Sequence, residues 1–152
     1  RALDKAMEDT GAKHASVIVM DPKTGEILAM ANRPTYDPNH YSQGSEEVFK
    51  NIAVTNLYEP GSTFKPIIAS AALASGKWNL DQVYNDKGSF AANGHVMQNW
   101  NGEGYGPVRL IDILKFSINT GMSEIGTTTG ADILSKYVLN LIKTKLYILF
   151  YK

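Results

Sequence analysis

The sequence predicts an α/β (α+β) fold, with helices packed on antiparallel strands. Three observations carry this. Ala15–Met20 is a near-continuous apolar run, and Glu26–Ala31 is a second one returning from a turn. Ser62–Ser75 is apolar almost all round, the pattern of a buried helix. Beyond it, Val108–Phe116 and Met122–Leu139 hold apolar residues at helical spacing.

Taken in order, Leu3–Glu8 is helical in character and Gly11 is its stop. Ala15–Met20 is expected to be a strand buried on both faces. Asp21-Pro-Lys-Thr-Gly25 supplies the turn, because proline presets φ and glycine permits positive φ. With Glu26–Ala31 it makes a β-hairpin. Asn32–Ser45 is a loop, and Glu46–Ile52 a short helix. Glu59-Pro-Gly61 breaks the chain before the buried helix, which Gly76 ends. Leu80–Gly106, rich in Gly and Asn, reads as small strands and exposed loops. Ser117-Ile-Asn-Thr-Gly121 interrupts the C-terminal helical pattern, and Thr127–Gly130 is a weak point in the helical stretch from Met122 to Leu139. No repeat or low-complexity tract is present.

The chain has 152 residues, 43% hydrophobic and 20% charged, which is a globular composition. Fifteen basic and fifteen acidic residues cancel. That balance gives no electrostatic footprint for nucleic acid or for an anionic membrane surface. Without cysteine there are no disulfides, thiolate metal sites or cysteine nucleophiles. His14, His40 and His95 are scattered, so no metal site is expected. The glycines at 94, 102, 104 and 106 lack the strand-to-helix junction and lysine of a phosphate loop. Trp78, Trp100 and Tyr105 are candidates for a groove, although core packing is the commoner use of such residues.

The chemistry concentrates at Ser62-Thr-Phe-Lys65, at the start of the buried helix. Residues three apart share a helix face, so the Lys65 amine is expected to reach the Ser62 hydroxyl. Free N–H groups at a helix start favour negative charge on the serine oxygen. Burial disfavours the ammonium, and a neutral lysine can take the serine proton. Pro66 deletes an amide donor where a helix tolerates the loss. Alone, Ser-x-x-Lys is a common tetrapeptide, and a serine near a helix start is usually only a cap.

The flanking residues add a resemblance. Tyr58-Glu-Pro-Gly-Ser-Thr-Phe-Lys-Pro66 resembles the first active-site motif of penicillin-binding proteins, and Ser117-Ile-Asn119 resembles their second, Ser-x-Asn. The hairpin Val17–Met30 is similar to the family's opening strands. Asn32–Asn39 is similar to the loop that follows them in the class B enzymes, and Trp100–Leu110 to the approach to the second motif. This is a match to the family's pattern, not a deduction from spacing.

The resemblance implies a penicillin-binding/β-lactamase-like transpeptidase fold and a peptidoglycan D,D-transpeptidase that uses a serine acyl-enzyme and no cofactor. Ser62 would attack D-Ala–D-Ala stem peptides and be acylated by β-lactam antibiotics. Lys65 would be the base, Ser117 would relay a proton toward the leaving amine, and Asn119 would hold Lys65 and the substrate amide. The Ser62 N–H would supply half of an oxyanion hole. The parent protein would be membrane-anchored, act outside the cytoplasmic membrane and work with the cell-wall synthesis machinery. Alternatives are a serine β-lactamase or β-lactam sensor, a D,D-carboxypeptidase, or a truncated non-catalytic product.

The sequence also departs from the family. A third motif, Lys-Thr/Ser-Gly, is expected on a later strand. Lys23-Thr-Gly25 lies before Ser62 in the hairpin turn, and Lys143-Thr-Lys145 lacks the glycine, so neither is assigned a role. The missing strand would supply the other oxyanion donor, a loss worth about 10²–10³ in rate. The first residue is Arg1, and the chain reads as cut from a longer one. Residues 1–136 are expected to be the N-terminal part of a transpeptidase domain, and 137–152 a divergent, prematurely ended segment. Within it, Leu146–Tyr151 is an aggregation-prone apolar hexamer. The run after Tyr137 is too short to span a membrane, and Lys143 and Lys145 interrupt it.

Overall fold

A computed structural model describes the backbone of residues 1–150 and the side chains of residues 1–141. The side chains of Lys143, Lys145 and the apolar hexamer at 146–151 lie outside the described residues. The chain forms two compact units, 1–59 and 60–152. No helix among the described residues is long and apolar enough to cross a membrane.

The first unit is a β-ribbon with short helices. Helix α1 (Ala2–Thr10) ends where the N–H of left-handed Gly11 bonds the Met7 carbonyl. Strands β1 (Ala15–Met20) and β2 (Ile27–Arg33) pair antiparallel, Ala15 opposite Arg33 and Ile18 opposite Met30. The turn is set by Asp21, whose side chain accepts the Lys23 N–H at 2.7 Å while its carbonyl accepts the Gly25 N–H at 2.8 Å. Lys23-Thr24-Gly25 is thus turn chemistry, as the sequence indicates. An Asp4–Arg33 ion pair ties α1 to β2.

One expectation fails here. Strand β1 is not buried: Val17, Ile18, Val19 and Met20 are each 40–46% exposed. A two-stranded ribbon with helices touching it locally has too little cover to bury both faces. The segment expected as one helix over Glu46–Ile52 is instead a 3₁₀ turn, Glu46–Phe49, followed by helix α2 (Ile52–Thr55).

The second unit holds the core. Its chain runs through a 3₁₀ turn (Gly61–Phe64) into helix α3 (Lys65–Ala74). Strand β3 (Val83–Asp86) pairs with β6 (Gly106–Arg109), and β4 (Ser89–Ala92) with β5 (His95–Gln98). Helices α4 (Leu110–Lys115), α5 (Asn119–Thr129) and α6 (Ala131–Phe150) come last. The break between α5 and α6 falls at Gly130, within the weak point expected from the sequence. Helix α5 begins at Asn119 rather than at Met122.

Helix α5 packs on α3 and on the β4–β5 ribbon, the expected placing of helices on antiparallel strands. Leu110, Ile113, Ile118 and Ile125 are at most 2% exposed and meet Ala69, Ala72, Trp78 and Met122. Each large aliphatic contributes about 1.5–3 kcal/mol by leaving water. Gly121 has no side chain because none fits: a Cβ there would stand 2.8 Å from Ile113 Cδ1. Helix α3 is less enclosed than expected, since Leu73 is exposed while Ala69, Ala71 and Ala72 are buried. Trp78 belongs to the core rather than to a groove, Trp100 is exposed, and Tyr105 stacks on Phe116 at 5.7 Å.

Candidate active site

The end of α4 builds half of the site. The Ile118 N–H bonds the Ile113 carbonyl at 2.9 Å and the Ser117 N–H bonds Leu114 at 3.3 Å. These are the two bonds of a Schellman ending, with Ile118 and Ile113 supplying its hydrophobic contact. Such an ending needs a left-handed residue, usually glycine. Here it is Ser117, at φ 54°. A side chain in that conformation costs about 1–2 kcal/mol. Ile118 is fully buried between two polar neighbours. It acts as a peg, fixing the backbone from which Ser117 and Asn119 reach out of the core.

The 3₁₀ turn and α3 supply the other half. Ser62 is exposed in the 3₁₀ turn, not in the first turn of an α-helix as expected. Lys65, the first residue of α3, is 9% exposed. Its amine donates to the Ser117 carbonyl at 2.7 Å, the Ser117 hydroxyl at 3.0 Å and Asn119 Oδ1 at 2.7 Å. Ser117 Oγ in turn donates to Ser62 Oγ at 2.9 Å. The structure thus gathers Ser62, Lys65, Ser117 and Asn119, four residues spread over 58 positions.

The geometry corrects one expectation. Lys65 has no direct hydrogen bond to Ser62, and Ser117 stands between them. The 3₁₀ turn and the three acceptors contributed by Ser117 and Asn119 draw the amine away from the serine three residues earlier.

Burial lowers the pKa of Lys65 below that of an ordinary lysine. None of its hydrogen-bond partners is a carboxylate to offset this. As an ammonium it uses three protons on three acceptors. As a neutral amine it keeps two donors, for the Ser117 carbonyl and Asn119 Oδ1, and turns a lone pair to the Ser117 hydroxyl. Ser117 can then accept from Ser62. Loss of one proton therefore reverses the hydroxyl chain, so that it runs from Ser62 toward Lys65.

Asn119 is held on both sides. Its Oδ1 accepts from Lys65, and its Nδ2 donates to the Gln98 carbonyl on β5 at 3.0 Å. A cavity of about 380 Å³ adjoins the site, with Lys65 and Asn119 beside Phe64, Ile68, Met97 and Met122. An apolar hollow with a few convergent polar groups suits a small organic ligand. A smaller hollow, of about 250 Å³, lies within residues 1–59 and holds none of the four. Among the described residues no His, Asp and Glu cluster could hold a metal ion.

Sequence reasoning missed the residues beneath the site. Asp86, Asn99 and Thr120 are buried and bonded to one another. The one local signal is Asp86, a carboxylate at the end of a strand pattern and two residues before Gly88.

Among known proteins, the family described as "Penicillin binding protein transpeptidase domain" matches residues 15–142. Stage V sporulation protein D of Bacillus subtilis is 38% identical over 141 residues, covering 91% of this chain and 22% of that protein. The probable peptidoglycan D,D-transpeptidase PenA of Neisseria gonorrhoeae is 38% identical over 135 residues, covering 86% and 22%. Peptidoglycan D,D-transpeptidase FtsI of Escherichia coli is 35% identical over 125 residues, covering 82% and 21%. The chain spans about a fifth of the length of these relatives.

Proposed function

The chain belongs to the penicillin-binding protein transpeptidase domain family, and from that premise we propose that Ser62 is the nucleophile of a peptidoglycan D,D-transpeptidase. The observation that supports this most is the continuous chain Ser62 Oγ–Ser117 Oγ–Lys65 Nζ, with steps of 2.9 and 3.0 Å.

Neutral Lys65 draws the Ser62 proton through the Ser117 hydroxyl as Ser62 Oγ attacks the carbonyl of a D-Ala–D-Ala bond. The C–N bond breaks, and the proton returns through Ser117 to the departing amine of the terminal D-alanine. An amine of a second stem peptide then attacks the Ser62 ester, the C–Oγ bond breaks, and the amine's proton passes to Ser62 Oγ by way of Lys65 and Ser117. Asn119 holds the Lys65 amine through Oδ1, and its Nδ2 can turn from Gln98 to a substrate carbonyl. The Ser62 N–H serves as an oxyanion donor. β-Lactams acylate the same serine, because their strained amide presents the same kind of carbonyl. No cofactor takes part. The whole protein acts on the outer face of the cytoplasmic membrane, anchored there with the cell-wall synthesis machinery. Residues 1–136 form the N-terminal part of its transpeptidase domain.

The test follows D-alanine release from a stem peptide ending in D-Ala–D-Ala, with a D-amino acid present as acceptor. Transfer to the acceptor that is lost in Ser62→Ala supports the reading. D-Alanine release without transfer product would make the protein a carboxypeptidase. Transfer that persists in Ser62→Ala would overturn the assignment of the nucleophile.

A further inference from the structure

We propose that Asp86 is a positioning residue for this site, acting through the side-chain amide of Asn99. The proposal rests on the reading of Ser62, Lys65, Ser117 and Asn119 given above. Asp86 is 3% exposed, and each of its oxygens accepts two hydrogen bonds. Oδ1 takes the Gly88 N–H at 2.9 Å and the Thr120 hydroxyl at 2.6 Å. Oδ2 takes the Asn99 amide at 2.7 Å and the Tyr105 N–H at 3.0 Å. An ionised carboxylate is acceptor-only and has a lone pair for each of these four donors. With no cation among these partners, its charge is met by donors alone.

The consequence falls on Asn99, which is 4% exposed. Its Nδ2 points at two acceptors, Asp86 Oδ2 and the Glu103 carbonyl at 2.9 Å. Its Oδ1 is thereby turned toward two backbone donors, the N–H of Asn119 at 3.0 Å and of Thr120 at 3.3 Å. These are the first N–H groups of α5, which have no partner within the helix. The residue before them is Ile118, which carries no side-chain acceptor and so cannot cap. Asn99 therefore caps α5 from 20 residues away, and Asp86, together with the Glu103 carbonyl, fixes which end of the Asn99 amide faces the helix.

That cap holds the residue that holds Lys65. If the Asn99 amide turns over, its NH₂ meets two N–H groups, and the start of α5 must shift. Asn119 Oδ1 then leaves the Lys65 amine, and the Ser117 carbonyl and hydroxyl move with the same backbone. A misplacement of about 1 Å in such a site costs on the order of 10²-fold in rate. The backbone around Asp86 is fixed tightly enough to transmit this. A Cβ on Gly104 would stand 2.7 Å from the Asp86 carbonyl, so the strand and the 102–104 loop touch directly.

The experiment uses the full chain, its Asp86→Asn variant and the double variant Asp86→Asn/Asn99→Asp. Two readouts are taken: hydrogen exchange at the amides of Asn119 and Thr120, and acylation of Ser62 by benzylpenicillin. In the wild type both amides should be protected. In Asp86→Asn both should exchange faster. The saturating acylation rate should fall about 10- to 100-fold, with half-saturation within about threefold. The double variant restores an acceptor under α5 and should recover part of the amide protection and of the rate, short of the wild type because its new carboxylate also faces the Glu103 carbonyl. Ile125→Ala serves as a core control and should lose stability without that selective fall in rate.

Unprotected Asn119 and Thr120 amides in the wild type would overturn the proposal whether or not any variant folds. So would an Asp86→Asn rate loss no greater than that of Ile125→Ala at equal loss of Tm. Protected wild-type amides on a chain that benzylpenicillin does not acylate would contradict the reading of Ser62 while sustaining the cap.

Discussion

The hydroxyl of Ser117 stands 2.9 Å from the hydroxyl of Ser62, on a backbone that glycine would occupy with less strain. A side chain kept in the left-handed region must be held there by its surroundings. Ile118 in the core and the Lys65 amine on the Ser117 carbonyl do this. The strain and the hydroxyl chain thus meet in one residue.

Ser117 variants should separate these two properties. Ser117→Gly removes the hydroxyl and the strain together, whereas Ser117→Ala removes only the hydroxyl. Thermal unfolding should find Ser117→Gly more stable than Ser117→Ala by about 1 kcal/mol. Both should lose benzylpenicillin acylation, by about 10²-fold or more. A Ser117→Gly chain that keeps the wild-type rate would exclude the relay.

Lys65→Met should remove the proposed base while conserving much of the volume. Stopped-flow acylation should fall by about 10²–10⁴-fold. Lys65 is buried and its pKa lies below that of an ordinary lysine. The neutral amine is therefore present at lower pH than usual, and the acylation rate should rise with pH to a plateau whose midpoint lies below the ordinary lysine range. A rate independent of pH across that range would rule Lys65 out as the base.

Asp86 should leave a signature in acid. Burial pushes its carboxyl pKa up, but the bonds from Thr120, Gly88, Tyr105 and Asn99 outweigh burial, and the net pKa is lowered. A carboxylate with a lowered folded pKa stabilises above its unfolded value, and that stability is lost as pH falls through the folded one. The difference in Tm between wild type and Asp86→Asn should be largest at neutral pH and should shrink below about pH 4. A difference unchanged by acid would show that Asp86 is held as the neutral acid.

Gly121→Ala should destabilise the chain by about 1–3 kcal/mol, because its Cβ would stand 2.8 Å from two atoms of Ile113. Ile113→Ala on the same chain opens the space, so the double variant should lose less than the sum of the two, as a denaturant melt would show. Full additivity would mean that the two residues do not share the contact.

The range of each interaction decides whether the sequence discloses it. The hairpin is legible because Asp21 and Gly25 set its turn within five residues. Ser62, Lys65, Ser117 and Asn119 are legible as candidates because their motifs are short. Their wiring is not: Lys65 bonds residues 52 and 54 positions away, set there by the Schellman ending of α4 and by the bonds of Asn119 to Gln98 and Asn99. Asp86 and Asn99 are hidden for the same reason, since their bonds cross from one strand region to another and on to α5. The exposure of β1 is hidden because an apolar run says which residues can be buried, not what covers them.

The central claim is that Ser62 is an assembled nucleophile, and the intact mass of the chain after incubation with benzylpenicillin tests it most directly. The account predicts a single covalent adduct, mapped by digestion to the peptide carrying Ser62 and absent from Ser62→Ala. An adduct that survives in Ser62→Ala, or none on a wild-type chain that still unfolds cooperatively, would contradict it.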